Sequence, residues 1–274
     1  MLGTDCNLRL SAAGHDVISV DVADIDITDR TSIEKCLSAK TPVDFVINCA
    51  AYTQVDLCET NQELARLVNG IGAKNLAVWC AENHVPIIHF STDYVFDGSG
   101  SAARSESDLP APISVYGESK LQGERGVLKT QPDSYVFRIQ WLYGSAGPNF
   151  IRTLLGFAES RSELKVVNDQ WGSPTWARDV ADMLVWVLEN RPPYGLYHWH
   201  NDGYCSWYEL AVELARLRFP QVAIQACTTA EFPRPARRPA NGRMAIDKFL
   251  RLPNAPPPPH WKTALVHFLA EYSG

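Results

Sequence analysis

A chain of 274 residues is long enough to bury one large core or two smaller ones. Its apolar content of 46% and charged content of 20% are those of an ordinary globular protein. A formal net charge of −6 argues against general nucleic-acid binding. No apolar run reaches the length of a bilayer span, and the opening Met1-Leu2-Gly3-Thr4-Asp5 lacks the basic start and apolar run of a signal peptide. The seven cysteines form no C-x-x-C pair, so neither a zinc site nor a disulfide framework is indicated. A cytoplasmic protein, with no membrane or nucleic-acid partner, is expected.

In chain order, residues 4–13 read as a helix, with Thr4 or Asp5 as cap and Gly14 as stop. Asp16 to Asp21 reads as a short strand, and Asp24 to Asp29 as a second extended piece leading into a helix at 31–39. Val43 to Ala51 is a strand apolar on both faces. Helical periodicity fills 60–83, through Leu64, Leu67, Val68, Ile71, Leu76 and Trp79. Strands are expected at 86–92 and 135–139, with a helix at 114–130 between them. Helices alternating with doubly buried strands imply a parallel sheet covered on both sides. Ligands bind such sheets at the carboxyl ends of the strands, where Asn48, Thr92 and Trp141 fall.

Past residue 144 the segments shorten and prolines and aromatics rise. A loop is expected at 168–175, helices at 177–190 and 206–218, a strand at 197–200 and a last amphipathic helix near 261–272. Residues 233–243 hold four arginines, whose forks suit phosphate oxygens; a solvated basic loop is the equal alternative.

Tyr116-Gly117-Glu118-Ser119-Lys120 carries the sharpest chemistry. A tyrosine and a lysine four apart share one helix face. An ammonium beside a phenol favours the phenolate, which makes the tyrosine a proton donor or acceptor nearer neutral pH. The Thr92 hydroxyl, brought close by the fold, would hold a substrate oxygen against that phenol. The bland reading is a half-buried tyrosine and a solvated lysine, and the pair alone favours it.

Four stretches reverse those odds together. Asn48-Cys49-Ala50-Ala51-Tyr52-Thr53-Gln54-Val55-Asp56, Ser91-Thr92-Asp93-Tyr94-Val95-Phe96-Asp97-Gly98, Tyr116 to Lys120, and Arg238-Pro239-Ala240-Asn241-Gly242-Arg243 stand in an order and spacing that resembles one family. It is the dTDP-4-dehydrorhamnose reductases, within the extended short-chain dehydrogenase/reductases. The likeness runs from Met1 to the last helix. It implies a Rossmann-like doubly wound parallel sheet over 1–144 and a smaller α/β substrate domain over 145–274, some of whose segments return to the sheet. It implies reduction of a 4-keto sugar on a nucleotide diphosphate with NADPH or NADH.

By the same resemblance Tyr116 is the general acid at the C4 oxygen, Lys120 tunes it and holds the nicotinamide ribose, and Thr92 bonds the same oxygen. Gly3, Asn48, Ala50 and Ala51 would let the cofactor approach the backbone, with Asn48 equally readable as a turn cap. Asp26 and Ile27 would edge the adenine, or only cap the following helix. Asn69 would support the site, or be a polar residue on a helix face. Thr53, Val55 and Trp141 would border the sugar, Trp141 alternatively being core. Arg238 and Arg243 would lie near the nucleotide.

One departure stands out. The family opens with a strand and a G-x-x-G-x-x-G turn that carries pyrophosphate on a helix N-terminus. Here Gly3 matches the last glycine, and the expected sheet lacks its first strand. Two other functions compete. A nucleotide-sugar dehydratase would carry an Asp-Glu pair after the threonine, where this chain has Asp93-Tyr94. A non-catalytic subunit resembling the methionine adenosyltransferase beta subunit would suit the missing glycines and the Tyr197-His198-Trp199 segment, but Thr92, Tyr116 and Lys120 are all retained. No arginine follows Asp21, which favours NADH on that count. No carboxylate cluster calls for Mg2+, and a homodimer is left open.

Overall fold

The computed structural model describes residues 1–40 and 42–272; positions 273 and 274 of the second expected domain lie outside them. The chain enters helix α1 (Leu2–Ala12), loops to α2 (Arg30–Ser38), and forms β1 (Val46–Asn48), short helices α3 (Val55–Thr60) and α4 (Gln62–Ala65), then α5 (Ala73–Glu82) and β2 (Ile87–Thr92). Helix α6 (Val115–Thr130) leads to β3 (Ser134–Ile139) and the two-residue β4 (Leu142–Tyr143). Next come α7 (Phe150–Ala158), β5 (Glu163–Val167), β6 (Trp171–Gly172), β7 (Thr175–Trp176), α8 (Ala177–Asn190) and β8 (Gly195–His198). The chain closes with β9 (Cys205–Ser206), α9 (Trp207–Arg218), β10 (Ala223–Cys227), α10 (Asp247–Leu250) and α11 (Trp261–Glu271).

The main sheet runs β1-β2-β3-β8, all parallel. Period-two alternation divides its side chains. Ile88, Phe90, Tyr135, Phe137 and Tyr197 pack on α1 and α8. Ile87 and Val136 pack on α2, α5 and the C-terminal end of α6. A separate core joins Tyr143, Ile151, Leu164, Trp176, Leu210 and Phe268, all beyond residue 142. Thus α8 and β8, though late in sequence, build the first sheet.

Two expected extended segments are corrected. Asp16–Asp21 forms no strand, and 24–29 is built of turns. A strand persists through its ladder, and neither segment finds one among the described residues. β1 is likewise shorter than expected, three residues laddered to β2 alone. The loop expected at 168–175 holds β6, which pairs antiparallel with β9, and the start of β7.

The helical stretch at 60–83 is broken by a π-helical turn over Arg66–Gly72. Its cause is contact with α6. A Cβ on Gly123 would be driven into the Asn69 carbonyl, and one on Gly70 would lie 2.6 Å from the Gln122 carboxamide oxygen. Small residues on both helices let the backbones press together, and the extra residue per turn turns Asn69 inward.

Candidate active site

Thr92 ends β2 and starts a 3-10 turn over Asp93–Val95. Its hydroxyl accepts from the Tyr94 N–H at 3.2 Å and donates to Asp93 Oδ1 at 2.9 Å. Ser114 caps α6 by accepting from the Gly117 N–H at 3.2 Å, which places Tyr116 in the helix's first turn. The Tyr116 ring meets Tyr94 edge-on at 5.4 Å, with the Thr92 hydroxyl beside its phenol. One turn on, the buried Lys120 donates from Nζ to the Phe90 carbonyl at 2.5 Å. The fold therefore gathers Thr92, Tyr116 and Lys120 at the carboxyl end of β2.

Electrostatics here differ from the sequence expectation in one direction. Burial pushes the Tyr116 phenol above its ordinary value, Asp93 and Tyr94 add to this, and the Thr92 hydrogen bond opposes it. Sequence reasoning weighed only Lys120, whose amine is turned to the Phe90 carbonyl; desolvation wins at this half-buried ring packed on Tyr94. Burial also pulls Lys120 down to about 8, against the raising effect of Glu124 and Cys49. Tyr116 is thus a protonated phenol at neutral pH, the form a general acid requires.

A support chain stands behind the tyrosine. Asn69 donates to the Ser119 hydroxyl at 3.0 Å, and Ser119 donates to the Tyr116 carbonyl at 2.8 Å. Asn69 also brackets Tyr52, accepting from its N–H at 2.8 Å and donating to its carbonyl at 3.0 Å. The π-turn asparagine therefore holds both α6 and the loop after β1.

The other expected residues sort as follows. Asn48 accepts from the Ala50 N–H at 3.0 Å and its amide contacts His89 Nδ1 at 3.1 Å, so it caps the turn carrying Ala50 and Ala51. Asp26 takes bonds from the Thr28 N–H and hydroxyl at 2.9 and 2.7 Å, which is turn chemistry. Ile27 is buried against Gly72. Thr53 is exposed and Val55 half-buried at the start of α3. Trp141 holds a left-handed φ of 45° and stacks on Trp207 at 3.6 Å. Arg238 grips Asp56 with two bonds of 3.0 and 3.1 Å, while Arg243 lies over Trp171 at 4.4 Å. Burial would raise Asp56, but Arg238 and Arg234 outweigh it and hold the carboxyl at about 2.

Two residues went unassigned at the sequence level. Asp93 is fully buried, and burial pushes its carboxyl up to about 7 against bonds from Thr92 and nearby N–H groups. Gln140 is 2% exposed. Its place was readable only from register, since Thr92 and Ile139 are partners across β2 and β3 and the next residues are Asp93 and Gln140.

A dinucleotide fits what is present. Among the described residues no side chain caps α1, whose N-terminus favours anions. Gly3 lies against Cys49, its Cβ position 3.5 Å from the Cys49 Cβ, next to the small Ala50 and Ala51. Lys120 offers a buried ammonium.

A parallel sheet with a Thr-Tyr-Lys cluster at its carboxyl edge defines a Rossmann-like oxidoreductase of the short-chain type. Residues 1–273 match the family model described as RmlD substrate binding domain. The chain is 38% identical to the spore coat polysaccharide biosynthesis protein SpsK of Bacillus subtilis, over 99% of this chain and 94% of that one. A dTDP-4-dehydrorhamnose reductase structure from Clostridium acetobutylicum superposes with a TM-score of 0.94 at 39% identity, covering 98% of this chain and 95% of that one. Another from Bacillus anthracis, solved in complex with NADP, gives 0.94 at 34% identity and the same coverage. The chain belongs to the dTDP-4-dehydrorhamnose reductase family. Among the described residues no helix is long and apolar enough to cross a membrane.

Proposed function

We propose that the chain reduces the 4-keto group of dTDP-4-dehydro-L-rhamnose, or of a close dTDP-linked ketosugar, with NADPH or NADH. The observation that carries this is the Tyr116 phenol, kept protonated by burial beside the Thr92 hydroxyl at the end of β2. A reduced nicotinamide, when bound, supplies hydride to the carbonyl carbon. Tyr116 gives its proton to the C4 oxygen as charge develops there, and Thr92, its hydroxyl turned from Asp93 to the substrate, donates a hydrogen bond to the same oxygen. Lys120, one turn behind, carries the positive charge that compensates the phenolate left behind and offers its N–H groups to a ribose hydroxyl.

In this reading residues 1–144 hold the dinucleotide, with Gly3, Asn48, Ala50 and Ala51 around its phosphates and Asp26, Ile27 and Asn69 further out. Residues 145–274 hold mainly the sugar nucleotide, with Arg238 and Arg243 toward the nucleotide, and Thr53, Val55 and Trp141 of the first segment lie beside the sugar. The NADP bound by the Bacillus anthracis relative supports NADPH over the NADH favoured by the sequence at Asp21. The non-catalytic alternative is not favoured, because the solved relatives above are reductases and the proton-relay residues are assembled. The test is incubation with dTDP-4-dehydro-L-rhamnose and each cofactor, with the product followed by NMR. A C4 hydroxyl formed with stoichiometric cofactor oxidation supports the reading; folded protein that binds cofactor but forms no alcohol from any dTDP-ketosugar ends it.

A further inference from the structure

Gln140 is enclosed, yet among the described residues neither its carboxamide oxygen nor its nitrogen has a hydrogen-bond partner. A buried donor and acceptor left unmade destabilise a fold, so such a side chain in a native fold calls for an explanation.

Its position supplies one. Asp93 and Gln140 are the residues just past the paired ends of β2 and β3. The point where Gly242 would carry a Cβ is 2.6 Å from Asp93 Oδ2 and 3.5 Å from Gln140 Oε1. The corresponding point on Gly172 is 2.8 Å from Gln140 Oε1 and 2.5 Å from the Trp141 ring. The amide therefore lies between the Asp93 carboxyl and the Trp141 indole, roofed by two glycines that place no side chain over it. The roof is two loops clipped together, the Trp171 N–H bonding the Ala240 carbonyl at 2.8 Å and the Gly242 N–H the Trp171 carbonyl at 2.7 Å. Asp93 in turn accepts from Thr92, so Gln140 stands one residue removed from the group proposed to hold the C4 oxygen.

We propose that Gln140 is a specificity-determining residue whose carboxamide hydrogen-bonds ring hydroxyls of the sugar. A carboxamide donates and accepts, which matches a hydroxyl, itself donor and acceptor. The neighbouring Asp93, with its carboxyl near neutrality, offers a second partner of either kind. The glycines at 172 and 242 let the two loops close directly onto Asp93 and Gln140, where any side chain would collide with them. The proposal rests on the ketosugar reading above and names the side chain that tells the sugar from the bare nucleotide.

The test compares wild type with Gln140→Leu, which keeps the volume and removes both polar groups. Calorimetry with dTDP-L-rhamnose and with dTDP is run beside the melting temperature and the KM and kcat for dTDP-4-dehydro-L-rhamnose. The expected result is a sugar-nucleotide affinity weakened about tenfold, and dTDP affinity held within about twofold. KM rises in step, kcat changes little, and the melting temperature is equal or higher, because an unpaired amide has been removed. Unchanged affinity for both ligands would mean the amide holds a buried water only and would overturn the proposal. Equal weakening of both, with a lower melting temperature, would make Gln140 structural and overturn it too. A wild type that turns over the ketosugar under either outcome confines the failure to Gln140. A wild type that binds dTDP-L-rhamnose no better than dTDP and reduces no ketosugar fails the reading beneath, and the proposal with it.

Discussion

The Thr92 hydroxyl donates its one proton to Asp93 Oδ1 at 2.9 Å, so the group placed to hold the substrate oxygen is committed to a carboxyl that itself sits near neutrality. Burial raises Asp93 from 3.8 to about 7 in the folded chain. The folded state therefore binds this proton more tightly than the unfolded state does. The stabilisation is complete below about pH 4 and is lost as pH rises through 7. Asp93→Asn, which has no charge to bury, is expected to be more stable than wild type at pH 8, by roughly a few kcal/mol. The difference shrinks toward zero near pH 4. Urea titrations across that range check it, and a difference independent of pH would contradict it.

Arg138 and Glu124 form a bidentate pair of 2.9 and 2.5 Å with side chains only 2% and 3% exposed. Removing one partner leaves an uncompensated charge in the core. Glu124→Ala is expected to destabilise the fold by about 3–5 kcal/mol, read from urea midpoints. A loss below about 1 kcal/mol, the scale of a surface pair, would contradict this account of the pair.

Gly117 sits directly after Tyr116, and a Cβ there would run into the Tyr94 carbonyl. Gly117→Ala must lift the start of α6 and carry the phenol with it, so kcat is expected to fall about tenfold or more, as misplacement of a catalytic group does. Gly156, in α7, has nothing within 4 Å of its Cβ position. Gly156→Ala is expected to leave activity intact and to stabilise by about 0.5–1 kcal/mol through helix propensity. Equal effects from the two alanines would refute the argument from close approach.

Much of this architecture was legible from local pattern. The 3.6-residue period put α8 at 177–190, where it lies, and the i, i+4 spacing put Tyr116 and Lys120 on one helix. What was hidden depends on tertiary contact. The strand expected at Asp16–Asp21 had the right composition but no ladder to join. The π-turn at Asn69 exists because α6 presses on it, which periodicity alone does not register. Asp93 and Gln140 meet through the register of β2 with β3. The direction of the Tyr116 shift turned on burial, whereas the sequence displayed only its charged neighbour.

The most direct measurement is single-turnover reduction of dTDP-4-dehydro-L-rhamnose by wild type and Tyr116→Phe, each saturated with NADPH. The account predicts that the variant folds and binds cofactor as wild type does, while its reduction rate falls by about 10²–10⁴, the range for loss of a general acid. A variant reducing the ketosugar at the wild-type rate would contradict the central claim that Tyr116 protonates the developing alcohol.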